Sequence, residues 1–279
     1  MLKIGVLGAG HLGFIHIKLL LQVEGVEVIG CYDPDEARMA KAALEFGIPK
    51  FDSMQALLEV CDAVDIIAST SAHYECAIAG LNAGLHVFIE KPIAALPIQA
   101  DEIVKLAESN GLNIQVGHVE RFNPAFLAVK DREIRPYFIE AHRLSQFNPR
   151  GTDVSVVMDL MIHDIDVVLS MVKSKISHIS ASGVGVISDS PDIANARIEF
   201  ENGCVANLTA SRISLKTMRR MRLFQRDAYI TIDFAEKQAQ VLTLSDKQAN
   251  TEEGLPFIEV NTGDSKTRKY IRFEQPEAP

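Results

Sequence analysis

Positive charge is in short supply in this sequence. Its 279 residues carry 28 Lys and Arg against 37 Asp and Glu, a formal net charge of −9 with a pI near 5.4. Nucleic acid and anionic membranes attract concentrated basic surfaces, which this balance does not provide. No helix-turn-helix or basic domain is present either, so no nucleic-acid or membrane partner is expected. Long apolar runs are also missing, because His, Lys or Asp interrupts each one before it reaches spanning length. Met1 opens directly onto a strand-like run. No signal peptide is expected from that, and the cytoplasm is the expected compartment. The four cysteines, Cys31, Cys61, Cys76 and Cys204, form no C-x-x-C pair and have no His-rich companion. They read as reduced core residues, and no metal is expected. Internal repeats and low-complexity tracts are absent.

What is present is enough apolar material, 47% of residues with 23% charged, to bury a full core. The length suggests two domains. The first thirteen residues organise the rest. Leu2-Lys3-Ile4-Gly5-Val6-Leu7 is a strand run leading straight into Gly8-Ala9-Gly10-His11-Leu12-Gly13 and then a helix from Phe14 to Val23. In that context the glycines have separate tasks. Gly8 allows the turn, Gly10 lets a pyrophosphate approach the backbone, and Gly13 lets the helix pack on the strand. His11 and Leu12 lie in this glycine turn, just ahead of the helix N-terminus whose free N–H groups favour phosphate. Asp33 ends the next apolar run, Val26 to Tyr32, at roughly the 20-residue distance at which a carboxylate accepts from a ribose. This carboxylate favours NAD, while Arg38 in the following helix leaves NADP possible.

Strand and helix runs alternate over the first 90 residues: helix from Asp35 to Phe46, a short strand near Lys50, helix Ser53 to Val60, strand Ala63 to Ala68, helix His73 to Ala83 capped by Ser69-Thr70-Ser71, and strand Leu85 to Ile89. That rhythm gives a doubly wound parallel sheet, a Rossmann domain, with ligands at the carboxyl ends of its strands. A helix from Pro97 to Asn110 and a strand from Ile114 to Gly117 complete this α/β domain, taken as 1–122. From 123 onward the reading is one helix to Arg132, a strand near Tyr137 to Leu144, a polar loop Asn148 to Asp153, and a strong helix Ser155 to Val172. Six runs of period two follow, beginning with Ile176 to Ile187 and Ile193 to Phe200, and Glu201-Asn202-Gly203 marks a hairpin. The second domain, 123–279, should therefore be α+β with an open, mostly antiparallel sheet. Its tail beyond Ser245 is turn-rich and weakly patterned, and partial mobility is expected there.

Three polar groups stand out. Lys91, between Glu90 and Pro92 at a strand end, can polarise a substrate oxygen, although a lysine before proline is also a common solvated turn. The peptide bond to Pro92 can be cis, which would hold the lysine in one place. Asp159, His163 and Asp166 fall at i, i+4 and i+7 and project from one helical face, where a carboxylate can orient an imidazole as acid or base; an ion-paired surface stripe is the other reading. Arg212, Lys216, Arg219, Arg220, Arg222 and Arg226 can hold a phosphate or diphosphate, or line a solvated sheet face.

The glycine turn, the Ser69 to His73 loop followed by Ala83-Gly84-Leu85-His86-Val87, Glu90-Lys91-Pro92, and the Asp159-x-x-x-His163-x-x-Asp166 helix together resemble the glucose-fructose oxidoreductase, inositol dehydrogenase and MocA-like family, over Met1 to about Phe234. The resemblance implies an NAD(P)-dependent oxidoreductase acting on CH–OH groups. Lys91 would stand beside the nicotinamide and the reacting hydroxyl. His163 would accept the proton, with Asp159 next to it in the substrate pocket. Ser69, Thr70 and His73 would line the nicotinamide ribose, and Glu90 and His118 would border the ring. Gly117-His118-Val119-Glu120-Arg121-Phe122-Asn123-Pro124-Ala125 and the 160–166 segment look like the branch acting on nucleotide-linked N-acetyl sugars, such as UDP-N-acetylglucosamine. Free sugars, inositols or other polyols are the alternative substrates, and a non-catalytic NAD(P)-binding sensor is the alternative of another class. A homodimer or homotetramer through the C-terminal sheet is expected, since an open sheet needs its exposed face covered.

Overall fold

The computed structural model describes residues 1–147, 154–245, 257–261 and 268–277. The expected polar loop at 148–153 lies outside these residues. The chain divides into two compact units, Met1–His118 and Val119–Pro279.

In the first unit, strands β1 (Leu2–Leu7), β2 (Val26–Tyr32), β3 (Ala63–Ile66), β4 (His86–Ile89) and β5 (Ile114–Val116) make a sheet in the order β2-β1-β3-β4-β5. Every pairing in it is parallel. The helices are α1 (His11–Leu20), α2 (Glu36–Phe46), α3 (Met54–Leu58), α4 (Thr70–Asn82) and α5 (Pro97–Asn110). Helix α1 starts three residues earlier than expected because Gly10 itself takes the N-cap position. Two apolar clusters hold the layers. Ile17 of α1 and Met39 and Ala42 of α2 pack with Val6 and Cys31, while Leu57, Ala77, Leu81 and Ile103 pack with Val64, Ile66 and Ile89. Each fully buried branched side chain stabilises the fold by about 1.5–3 kcal/mol. The expected strand near Lys50 is reduced to a single bridge between Lys50 and Cys31.

The second unit opens with a 3-10 turn at Val119–Phe122, followed by a short helix α6 (Pro124–Leu127), which Asn123 caps through its side chain. The turn falls in the second unit rather than closing the first, and Glu120 and Arg121 pair there with Arg143 and Asp166. Strand β6 is Phe138–Leu144. The strong helix expected at Ser155–Val172 is two elements, a π-helical turn at Val157–Met161 and then α7 (Ile162–Met171). Its wider i→i+5 pitch takes Asp159 out of strict helical phase with His163. The sheet is completed by β7 (Ile176–Val184), β8 (Ile193–Phe200), β9 (Val205–Ser211), β10 (Met218–Phe224), β11 (Ala228–Asp233), β12 (Gln238–Ser245), β13 (Phe257–Asn261) and β14 (Arg268–Glu274). Its order is β13-β14-β12-β11-β10-β6-β9-β8-β7, with β6 and β9 the one parallel pair among the described strands of this sheet. Two strands thus occupy the tail that patterning left unassigned. Val167, Val168 and Met171 of α7 and Phe126 of α6 share one core with Ile139, Leu208, Met221 and Ile232 of the sheet.

Candidate active site

At the carboxyl end of β1 the chain turns through Gly8 at φ 110°, where a Cβ would lie 2.6 Å from the Ile67 carbonyl oxygen. A Cβ on Gly13 would lie 2.1 Å from the Gly8 oxygen, so Gly13 is required for α1 to approach the strand. Gly10 has nothing within 4 Å of its Cβ position, which leaves its backbone open to a ligand. His11 and Leu12 are exposed in the first turn of α1. A cavity of about 320 Å³ at this end of the sheet is lined in part by Gly8, Gly10, Asp33, Arg38 and Ser69. Asp33 is buried; its Oδ2 accepts the Ala9 N–H at 2.7 Å and its Oδ1 the Asp35 N–H at 2.8 Å. Asp35 caps α2 and pairs with Arg38 at 3.0 Å. The acidic end of β2 and the pairing of Arg38 both fit an unphosphorylated ribose better than a phosphorylated one.

Ser69 takes the N-cap position of α4 without a side-chain cap bond, because its hydroxyl is directed to Ser71 at 3.1 Å. The helix consequently starts at Thr70 and leaves its first N–H groups available. His73 departs from the expected ribose-lining position. It is 1% exposed, and its ring nitrogens lie 2.8 Å from the Pro92 oxygen and 3.0 Å from the Ala68 oxygen. It ties the loop after β3 to the loop after β4. In the latter, Lys91 is half-buried and the Lys91–Pro92 peptide is cis. Glu90 accepts the Lys91 N–H at 3.1 Å, and His118 is half-buried just past β5.

Sequence reasoning missed His16. Its ring nitrogens lie 3.0 Å from Asp65 Oδ2 and 3.4 Å from Glu90 Oε1. Burial alone would lower its pKa, but the hydrogen bonds and charges of Asp65 and Glu90 outweigh this and raise it to about 9. The available signal was a lone carboxylate inside the buried run Ala63 to Ala68 and an imidazole between two isoleucines in the middle of a largely apolar helix.

In the second unit, His163 and Asp159 are half-buried on α7 and the π turn. Asp166, expected on the same helical face, is buried and accepts Arg121 Nε at 2.7 Å. Asp164 beside His163 is also buried, and Arg143 donates to it through Nη2 at 2.8 Å and to Glu120 through Nη1 at 2.9 Å. These pairs tie α7, just past His163, to the Val119–Phe122 turn and to β6. The basic stretch does not form one patch. Arg212 is buried and donates to the Val154 oxygen at 2.7 Å, while Arg220 and Arg222 pair with Asp233 and Glu140 on one side of β10. Strand alternation places Arg219 on the other side, near Asp164.

A doubly wound sheet with a glycine-turn cradle, an acidic end on β2 and a lysine at the end of β4 defines a dinucleotide-binding oxidoreductase. Comparison with known proteins specifies the family. Residues 2–118 match the model of the GFO/IDH/MocA oxidoreductase family with an NAD-binding Rossmann fold, and residues 132–231 match the model of its C-terminal domain. The chain is 35% identical over 98% of its length to a UDP-N-acetylglucosamine 3-dehydrogenase from Acidithiobacillus ferrooxidans, covering 86% of that protein. A scyllo-inositol 2-dehydrogenase (NAD(+)) from Bacillus subtilis is 30% identical over 76% of this chain and 68% of its own. A structure of the A. ferrooxidans enzyme superposes with a TM-score of 0.83 at 36% identity, covering 87% of this chain and 80% of that one. The chain belongs to the GFO/IDH/MocA family and is an NAD-binding oxidoreductase. Among the described residues, no helix is long and apolar enough to cross a membrane.

Proposed function

We propose that this enzyme oxidises a ring hydroxyl of a nucleotide-linked N-acetyl sugar, UDP-N-acetylglucosamine at its 3-hydroxyl being the leading substrate, with NAD as hydride acceptor. The observation that carries this reading is the 35% identity to a UDP-N-acetylglucosamine 3-dehydrogenase along nearly the whole chain. Gly8, Gly10, His11, Leu12 and Gly13 present the backbone cradle for the diphosphate, and Asp33, with Arg38 nearby, receives the adenosine ribose. Ser69 and Thr70, at the open N-terminus of α4, serve the nicotinamide side, with Glu90 and His118 at its border. Bound NAD supplies the hydride acceptor. Lys91 donates to the reacting oxygen, and His163, oriented beside Asp159, takes the alcohol proton as the C–H electron pair leaves as hydride and a ketone forms. Subunits pair as a dimer or tetramer through the open face of the second unit's sheet, and the enzyme works in the cytoplasm.

The test mixes enzyme with NAD or NADP and UDP-N-acetylglucosamine, glucose or myo-inositol, following reduced-cofactor absorbance and the mass of the sugar product. A 3-keto UDP-sugar is expected. Turnover of myo-inositol alone would transfer the protein to the inositol branch, which the B. subtilis relative makes the second reading. Reduced cofactor from no sugar would leave a non-catalytic sensor. Lys91→Ala and His163→Ala should each lower kcat by about 10²–10⁴-fold and leave NAD affinity nearly unchanged. Sedimentation as a monomer at micromolar concentration would refute the proposed assembly.

A further inference from the structure

Asp65, His16 and Glu90 form a chain that ends on the main chain of Lys91. Asp65 projects from the middle of β3 and is 3% exposed. Among the described residues its Oδ1 has no hydrogen-bond donor, so the contact of Oδ2 with His16 at 3.0 Å carries the compensation for burying this carboxylate. The other ring nitrogen of His16 faces Glu90 Oε1 at 3.4 Å. Glu90 Oε1 also lies over Gly117, where a Cβ would come within 2.6 Å of it; any side chain at 117 would displace the carboxylate. Glu90 Oε2 accepts the N–H of Lys91 at 3.1 Å. Asp65 and Glu90 are the charged groups that face the ring from β3 and from the end of β4, and Phe88 meets it edge-on at 5.9 Å. With its pKa at about 9, His16 is an imidazolium at neutral pH. It belongs to α1, the helix whose first turn is the dinucleotide cradle.

We propose that His16 is a positioning residue for Lys91: clamped by Asp65, its ring fixes the Glu90 carboxylate, which fixes the Lys91 main chain relative to the helix that receives the dinucleotide. The cradle and the lysine are 78 positions apart in sequence, counting from Gly13 to Lys91. A charged contact between α1 and the loop after β4 registers one against the other. The inference rests on Lys91 acting at the reacting oxygen.

The test uses His16→Gln and the double variant His16→Gln/Asp65→Asn, which removes the buried cation together with the carboxylate that needs it and so keeps the fold testable. Melting and NAD titration accompany kcat across pH 6 to 10, and the Lys91 side chain is followed by NMR after ¹³C-methylation of lysines. The double variant should bind NAD within about threefold of the parent and lose kcat by about tenfold or more, because only an interaction needed in the transition state is gone. Its Lys91 resonance should shift, and the decline of kcat that the parent shows as His16 deprotonates should disappear. An unchanged Lys91 resonance with unchanged kcat would overturn the proposal, as would loss of NAD binding in parallel with kcat, which marks a structural role only. If the parent turns over no sugar in the panel, the substrate reading fails, while the Lys91 resonance still decides this one.

Discussion

Each unit holds a cation between two carboxylates, and the two clusters differ in the cation and in how deeply it is enclosed. In the first, His16 sits between Asp65 and Glu90. In the second, Arg143 sits between Glu120 and Asp164, with both its guanidinium and Asp164 almost fully enclosed. Burial opposes the charge on Arg143, yet the two carboxylates outweigh it and hold its pKa above the ordinary value, so it does not discharge under any condition the fold survives. His16 can discharge near pH 9. A permanent, forked cation suits a place where the geometry must never relax, here the base of the turn carrying His163. An imidazole offers two contacts only, in one plane, and its clamp depends on pH. The comparison separates a fixed scaffold in the second unit from a titratable one in the first.

The largest expected effect comes from breaking the permanent cluster. Arg143→Met leaves Asp164 and Glu120 buried without their cation and should destabilise the protein by about 3–5 kcal/mol, read as a shift of the urea midpoint. Arg143→Lys keeps the charge but cannot serve both carboxylates with a fork, so it should fall between Met and the parent. Equal midpoints for Lys and Met would show that the fork, rather than the charge, is what the cluster needs.

The sequence showed the first unit more fully than the second because its signals are local. The three glycines fall within one short turn, where Gly8 takes a positive φ and Gly13 meets the Gly8 oxygen, and Glu90-Lys91-Pro92 follows a strand whose alternation with helices is regular. Asp166 looked like a site residue because helical spacing reports the face and not the partner; Arg121, 45 positions away, decides its role. The π turn at Val157–Met161 was hidden because apolar residues at helical spacing read the same in either pitch. His73 was misplaced for the same reason as Asp166: its acceptors are main-chain carbonyls that no side-chain pattern records. The strands Phe257–Asn261 and Arg268–Glu274 pair with each other, and the latter with β12, which weak local patterning could not announce.

A smaller effect sharpens the contrast from the alkaline side. His16 has a folded pKa raised from 6.5 to about 9. Its contribution to stability is therefore complete below the unfolded value and is lost as pH rises through the folded one. Urea midpoints measured from pH 6 to 10 should fall between about pH 6.5 and 9 in the parent, level off above that, and stay flatter in His16→Gln/Asp65→Asn. Because Arg143 keeps its proton throughout, the gap between Arg143→Met and the parent should not close over that range. A gap that closes would mean the second cluster titrates as well, and the contrast between the units would collapse.

The smallest effect concerns another buried carboxylate, neutralised mainly by dipoles. Asp192 accepts the N–H groups of Val186, Ile187 and Ser188 at 2.7–2.9 Å on Oδ2 and the Ser188 hydroxyl at 2.6 Å on Oδ1, with Arg212 only at 3.8 Å. The Ser188 hydroxyl and these backbone donors hold its pKa well below the ordinary carboxylate range. The sign is opposite to that of His16: the contribution is present above the unfolded value of 3.8 and is lost as pH falls toward the lowered one. Asp192→Asn should weaken the protein modestly at neutral pH, since the amide keeps one accepting oxygen but carries no charge for the backbone donors. The difference from the parent should narrow as acid protonates Asp192. The change should stay within the segment between β7 and β8, read as faster amide exchange at Val186 to Ser188 with no change in exchange along α7. A difference in stability that does not vary with pH would mean that the turn needs the shape of Asp192 and not its charge. Buried charge in this fold would then matter only where a side-chain cation meets it, as at His16, Arg143 and Arg121.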